Sequence, residues 1–283
     1  MAYLQNGVSN TVISDARSGN FANVTIQNSG SLVVDFAHTF QGTIAGYNIG
    51  GFLPSLPGTT DRIEKFPFAT DTNATQTGNL SLRRSYAAGA SSDTSAYAAG
   101  GFPALTNIEK FAFALDNNGA KTGDLTVNSG NMGSTGNSSK THGYQASGAP
   151  LSPAPVINTI QKWPFAADEN STVVGALTVA RRVVGQSSET DGYSSGGAVG
   201  AYYNVVDKFP FATDGNATDV GDLTQARGYG VAGQSSTASG YSTGGFVPPH
   251  SNVIDKFPFA SDANATDVGD LTVRTAGATG QQD

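Results

Sequence analysis

The sequence predicts an all-β fold, a β-propeller of about five four-stranded blades, and three observations carry that reading. First, one phrase returns five times: Ile63-Glu64-Lys65-Phe66-Pro67-Phe68, Ile108-Glu109-Lys110-Phe111, Ile160-Gln161-Lys162-Trp163-Pro164-Phe165, Val206-Asp207-Lys208-Phe209-Pro210-Phe211 and Ile254-Asp255-Lys256-Phe257-Pro258-Phe259. Its lysines fall 45, 52, 46 and 48 residues apart, a period of stacked or circular repeat units. Second, each unit splits into four short segments divided by turn-forming residues, which is the content of a propeller blade. Third, every unit carries the same Phe, Tyr, Ile and Leu set. Burying one such side chain is worth about 1.5–3 kcal/mol, so five sets offset the ordering entropy of a chain with 36 glycines and only 13% charged residues.

The first segment of a unit is rich in small residues: Gly230-Val231-Ala232-Gly233-Gln234-Ser235-Ser236, echoed by Val184-Gly185-Gln186-Ser187-Ser188 and Ala88-Gly89-Ala90-Ser91-Ser92. Such a strand suits the crowded axis of a ring, where backbones approach closely. The second segment holds a tyrosine and ends in a small pair, as in Gly240-Tyr241-Ser242-Thr243-Gly244-Gly245. Its tyrosines, Tyr47, Tyr97, Tyr144, Tyr193 and Tyr241, are spaced by 50, 47, 49 and 48 residues. The glycine pair implies positive φ or close backbone approach. The third segment is the recurring phrase, in which the proline implies a bulge or an exposed edge. The fourth is short and polar, Gly269-Asp270-Leu271-Thr272, with Leu80, Leu125, Leu177 and Leu223 in equivalent places, as an outer edge strand should be.

Between the third and fourth segments lies an Asp/Asn-rich turn, such as Asp214-Gly215-Asn216-Ala217-Thr218 or Asp262-Ala263-Asn264-Ala265-Thr266. Calcium favours oxygen ligands of this kind, but turn chemistry explains them better. The sequons at Asn73, Asn170, Asn216 and Asn264 are not read as glycosylated, because no secretory leader is recognisable. The lysine of the phrase stands beside Glu or Asp in four of five units and reads as a strut between blades.

An Arg, a small-residue strand, Gly-Tyr, Gly-Gly, Ile-Asp-Lys-Phe and a closing Gly-Asp-Leu-Thr resemble the kelch-type blade over residues 41–282, without the closing tryptophan of kelch units. The wording Lys-Phe-Pro-Phe-Ala-x-Asp, Asn-Ala-Thr and Gly-Asp-Leu-Thr is also similar to repeats in structural proteins of tailed phages, especially those of marine cyanobacteria. That resemblance implies a virion protein, made in the host cytoplasm and mounted on a tail, fibre or capsid surface.

A propeller hides its edge strands by closure. Residues 274–282 resemble a first strand without a second, so they are expected to enter blade one as its innermost strand. Residues 1–40 stand outside the repeat. Val24-Thr25-Ile26-Gln27 and Leu32-Val33-Val34-Asp35-Phe36 read as a hairpin that either attaches to a partner or supplies part of a sixth blade.

Enzymatic readings find no support in the residues. There is no cysteine, which removes thiolate nucleophiles, cysteine-ligated metals and the cysteine–tyrosine cross-link of kelch-type copper oxidases. No sialidase box, nucleophile elbow, P-loop or His-Glu-x-x-His motif occurs, and a hydrolase would need an acid pair that the sequence does not offer. The histidines His38, His142 and His250 show no metal-ligand spacing, so neither metal nor cofactor is expected. A net charge of −7 opposes nucleic-acid binding, and no apolar run spans a membrane.

The units differ most in the loop between the second and third segments. These loops set Phe52, Leu56, Phe102, Leu105, Leu151, Tyr202, Tyr203, Phe246 and His250 around one mouth of the ring as candidate partner-binding residues. The expected partners are other virion proteins and a host-surface glycan or protein, with a homo-oligomer also open. The other reading is a free carbohydrate- or protein-binding scaffold.

Overall fold

The computed structural model describes residues 44–53, 58–128, 135–150 and 153–276. The protein is a five-bladed β-propeller built from antiparallel sheets. Blade 1 shows three strands among the described residues, Ala45–Phe52, Thr59–Pro67 and Thr75–Asn79. Blade 2 comprises Ala88–Ser91, Ser95–Ala99, Asn107–Ala112 and Ala120–Asp124, and blade 3 Thr135–Ser138, His142–Gly148, Ile157–Pro164 and Thr172–Ala176. Blade 4 has Arg182–Ser187, Asp191–Val199, Val205–Pro210 and Thr218–Asp222, with the short strand Ala201–Tyr202 folded back on its second strand. Blade 5 comprises Ala232–Ser235, Ser239–Thr243, Val253–Pro258 and Thr266–Asp270. The expected N-terminal hairpin and the closing strand beyond residue 276 lie outside the described residues.

The small-residue strands are the inner ones, and their composition follows from contact. A Cβ on Gly136 would sit 1.7 Å from the carbonyl oxygen of Gly89, and one on Gly233 would sit 2.5 Å from that of Gly185. Serines stitch these strands together. Ser138 Oγ accepts from the Ser91 N–H at 2.9 Å, and Ser235 Oγ from the Ser187 N–H at 3.0 Å. The glycine before each tyrosine has a different cause: a Cβ on Gly192 would lie 2.3 Å from the Phe209 ring, so this glycine leaves room for the aromatic on the adjacent strand. The pairs that end the second strands take positive φ, as at Gly196 (56°) and Gly197 (116°), and Ser147-Gly148 does so in blade 3.

The recurring phrase works through strand alternation. In blade 4, Val206 and Lys208 face the next blade, while Asp207 and Phe209 face the previous one. Val206 packs with Tyr193, Leu223 and Phe257, whereas Phe209 packs with Tyr144 and Ile160. Lys208 pairs with Asp262 of blade 5, and Asp207 receives Arg181 at 2.8 Å and the Thr178 hydroxyl at 2.6 Å from the side of blade 3. The second aromatic stands two residues beyond the first, so the same alternation turns it toward the previous blade as well. Phe211 lies 4.8 Å, centroid to centroid, from Tyr144, and Tyr193 and Phe259 repeat the contact at 4.8 Å. The bulge is not at the proline. It lies in the outer strand, where the register shifts opposite Val206/Asp207 and its counterparts in all five blades.

Two ion-pair classes join the blades. Lys65–Asp116, Lys110–Asp168 and Lys162–Asp214 span 3.0, 2.7 and 2.5 Å at the rim, so the lysine is braced by the Asp of the next blade's turn and not by its sequence neighbour. The neighbouring acid belongs to the second class. Glu109, Asp207 and Asp255 are fully buried against the fully buried Arg84, Arg181 and Arg227, which also donate to carbonyls such as Gly196 and Ser242. Burial lowers the pKa of Arg84 and Arg227, and the paired carboxylates oppose that fall. Blade 3 has Gln161 where the others have the acid. It bonds Gln145 at 2.8 Å and the Val127 carbonyl at 2.7 Å, so a neutral network replaces the charged one.

Exposed pairs contribute about 0.2–1 kcal/mol, whereas removing one partner of a buried pair costs about 3–5 kcal/mol. Asp207→Ala should therefore destabilise by about 3–5 kcal/mol in urea unfolding, and Lys208→Ala by less than about 1. The double variant Arg181→Ser/Asp207→Gln, which removes both buried charges, should be more stable than Asp207→Ala. Burial also raises the pKa of Tyr97, Tyr144 and Tyr193, that of Tyr144 to about 12. The neutral phenols then contribute stability that is complete below pH ~10, the ordinary tyrosine value, and is lost as pH rises through the folded values. Absorbance near ~295 nm should show these tyrosines ionising together with the unfolding signal, after the exposed ones.

Candidate functional site: an aromatic group on one rim

Strand direction alternates within a blade. The loop between the second and third strands and the link from the outer strand to the next blade therefore emerge at the same end. In blades 4 and 5 this brings four rings together. Gly200, with φ of 66°, turns the chain so that Ala201–Tyr202 pairs back on Ala198 and Val199. Phe246, just after Gly244-Gly245, exchanges backbone hydrogen bonds with Gly228 of the link, at 2.7 and 3.1 Å. That bridge sets Tyr229 beside it, in a left-handed conformation (φ 43°) uncommon outside glycine.

The rings form one continuous group. Centroids lie 5.8 Å apart for Tyr202–Phe246, 6.2 Å for Tyr202–Tyr229, 6.5 Å for Tyr229–Phe246 and 5.0 Å for Phe246–His250. The Arg182 guanidinium stands 5.6 Å from the Tyr229 ring, a cation–π distance. Tyr229 is 43% exposed and His250 is exposed, while Tyr202 and Phe246 are half-buried. Beside the group lies a hollow of about 440 Å³ lined by Gln225, Pro248, His250, Asn252 and Arg274.

Blade 2 repeats part of the plan. Phe102 bridges Ser85 at 2.8 and 3.2 Å, and Tyr86 follows with φ of 57° and 54% exposure. Leu105 lines an adjacent hollow of about 450 Å³ with Leu82, Asn107, Lys121 and Asp124. Of the residues named from the sequence, Tyr202, Phe246 and His250 are therefore gathered, and Phe102 and Leu105 occupy the matching place in blade 2. Phe52 is 63% exposed at its strand end, and among the described residues no ring contact joins it to either group. Tyr203 acts through its backbone, donating to Gly197 at 2.9 Å and accepting from Arg227 at 3.1 Å. Leu56 and Leu151 lie outside the described residues.

Sequence reasoning overlooked Tyr229 and Tyr86, which sit in the links between blades, and Arg182, which opens the first strand of blade 4. The signal was present as Arg-x-Tyr, at 84–86 and 227–229, where the arginine is the buried one.

The group offers flat apolar faces with hydroxyl, imidazole and guanidinium edges, suited to stacking on a sugar ring or a planar side chain. The buried acids are committed elsewhere: Glu109 accepts from Arg84, Asn107 and the Ser81 N–H, and Asp255 from Arg227 and Thr224. Among the described residues no group of three or more His, Asp or Glu side chains could hold a metal ion, and no helix is long and apolar enough to cross a membrane. No protein-family model matches this sequence, and no curated protein matches it significantly.

Proposed function

We propose that the protein is a non-enzymatic recognition module, a kelch-like propeller carried on the tail, fibre or capsid surface of a tailed phage, whose rim contacts a host-surface glycan. The observation that carries the binding part is the continuous Tyr202–Tyr229–Phe246–His250 group with Arg182 against it. Aromatic side chains held in contact on a rigid scaffold lose little conformational freedom on binding. The commitment of the buried acids to arginine, hydroxyl and amide donors supports a structural role for them over a catalytic one. The virion part rests on the likeness of the repeat wording alone.

Two measurements test the two parts separately. A glycan array probed with the full chain should show a selective set of bound sugars. Tyr229→Ala and Phe246→Ala should each weaken binding of the best glycan about tenfold, a loss of about 1.4 kcal/mol, with the unfolding midpoint little changed for the exposed Tyr229. Binding unaffected by both variants sinks the rim assignment. Mass spectrometry of purified particles should find the protein in stoichiometric amount, and its absence removes the virion reading.

A further inference from the structure

Four seams of the ring use one set of contacts. At the seam between blades 4 and 5, Tyr193 packs on Phe257 and Phe259, Lys208 pairs with Asp262, and Asn264 Oδ1 accepts from the Asp222 N–H at 3.0 Å. Asp255 receives the Thr224 hydroxyl at 2.6 Å. Among the described residues, none of the equivalent contacts is formed between blade 5 and blade 1.

Both halves of the unformed seam are present, and among the described residues nothing covers them. On blade 5, Tyr241, Ile254 and Leu271 are half-buried where Tyr193, Val206 and Leu223 are at most 2% exposed. Val268 is 51% exposed, and the whole outer strand Thr266–Asp270 is exposed. A Cβ on Gly221 would meet the Ala263 carbonyl oxygen at 2.5 Å, while one on Gly269 meets nothing within 4 Å. Among the described residues, the Lys256 ammonium meets its own blade's Tyr241 ring, at 6.0 Å, and no carboxylate. On blade 1, Phe68 is 46% exposed, Asp71, Asn73 and Ala74 are exposed, and Glu64 is half-buried with Asn48 as its partner at 3.3 Å.

The four formed seams state what such a face takes: two aromatics separated by one residue, then an Asp-x-Asn turn. Residues 1–43 contain no Asp-x-Asn sequence, so they do not carry it. The hairpin of blade 1 does, as Phe66-Pro67-Phe68 and Asp71-Thr72-Asn73-Ala74. We infer that the uncovered face of blade 5 docks the blade 1 hairpin of a second copy of this chain, head to tail, with Lys256 on Asp71 and Tyr241 on Phe68. Such a heterologous contact uses two different patches, so it builds a closed ring of copies or a filament and not a two-fold dimer.

Because the chain has no cysteine, one variant reports the geometry directly. Asn73→Cys/Asp270→Cys places thiols at the positions equivalent to Asn264 and Asp222. Under mild oxidation, docking between copies gives a ladder of disulfide-linked species on a non-reducing gel, and sedimentation of the unmodified chain gives an average mass that rises with concentration. Lys256→Glu should raise the concentration of half-association about tenfold, and mixing it with Asp71→Lys should restore association. An intramolecular disulfide with a one-chain mass shows that the ring closes on itself and overturns the proposal. A one-chain mass at all concentrations without any disulfide overturns it equally.

Discussion

A guanidinium and a carboxylate, both withdrawn wholly from water, sit at the root of blades 2, 4 and 5, and the surrounding structure is arranged to make that tolerable. Each charge alone would carry a desolvation penalty of several kcal/mol, so each is surrounded by further donors and acceptors. Arg181 reaches Gly196, Ser194 and Val205 carbonyls as well as Asp207, and Asp207 takes the Thr178 hydroxyl and N–H. Those partners come from the link, the second strand and the third strand at once. The pair therefore fixes where the chain crosses from one blade to the next, and the positive-φ residues at the end of the second strand follow from the same crossing. Blade 3 shows the alternative: Gln161 replaces the acid, and the demand for an arginine disappears with it.

Much of this was legible in the sequence, because repetition multiplies weak signals. Small residues announced the inner strands, and the five tyrosines and five lysines marked equivalent places. The acid next to the lysine was misleading. Strand alternation sends neighbours in opposite directions, so adjacency in sequence means separation in space, and Lys208 and Asp207 brace opposite sides of their blade. The proline was read as a bulge or an exposed edge, whereas the extra residue lies in the outer strand, beside the glycine that every unit carries there.

The rim was harder. Tyr202, Phe246 and His250 stand in loops that vary between units and could be singled out for that reason. Tyr229 comes from a link that looked like an approach to the next strand, and Arg182 from the start of an inner strand. What joins them is the bridge between Gly228 and Phe246, a backbone contact that no side-chain pattern encodes. Only the alternation of strand directions, applied to links as well as loops, would have put both on the same rim.

The outer-strand bulge, present at the same step in every blade, bears on how such a chain can change length. Side chains of the third strand look alternately toward one neighbour and the other, so adding a single residue within it would exchange its two faces and pit Lys against the arginine site and Phe against the turn acid. Adding a whole unit of about 48 residues leaves every face as it was. A gene for this architecture is thus free to lengthen by complete repeats and to diversify its rim loops, while small insertions within the phrase itself are excluded by geometry.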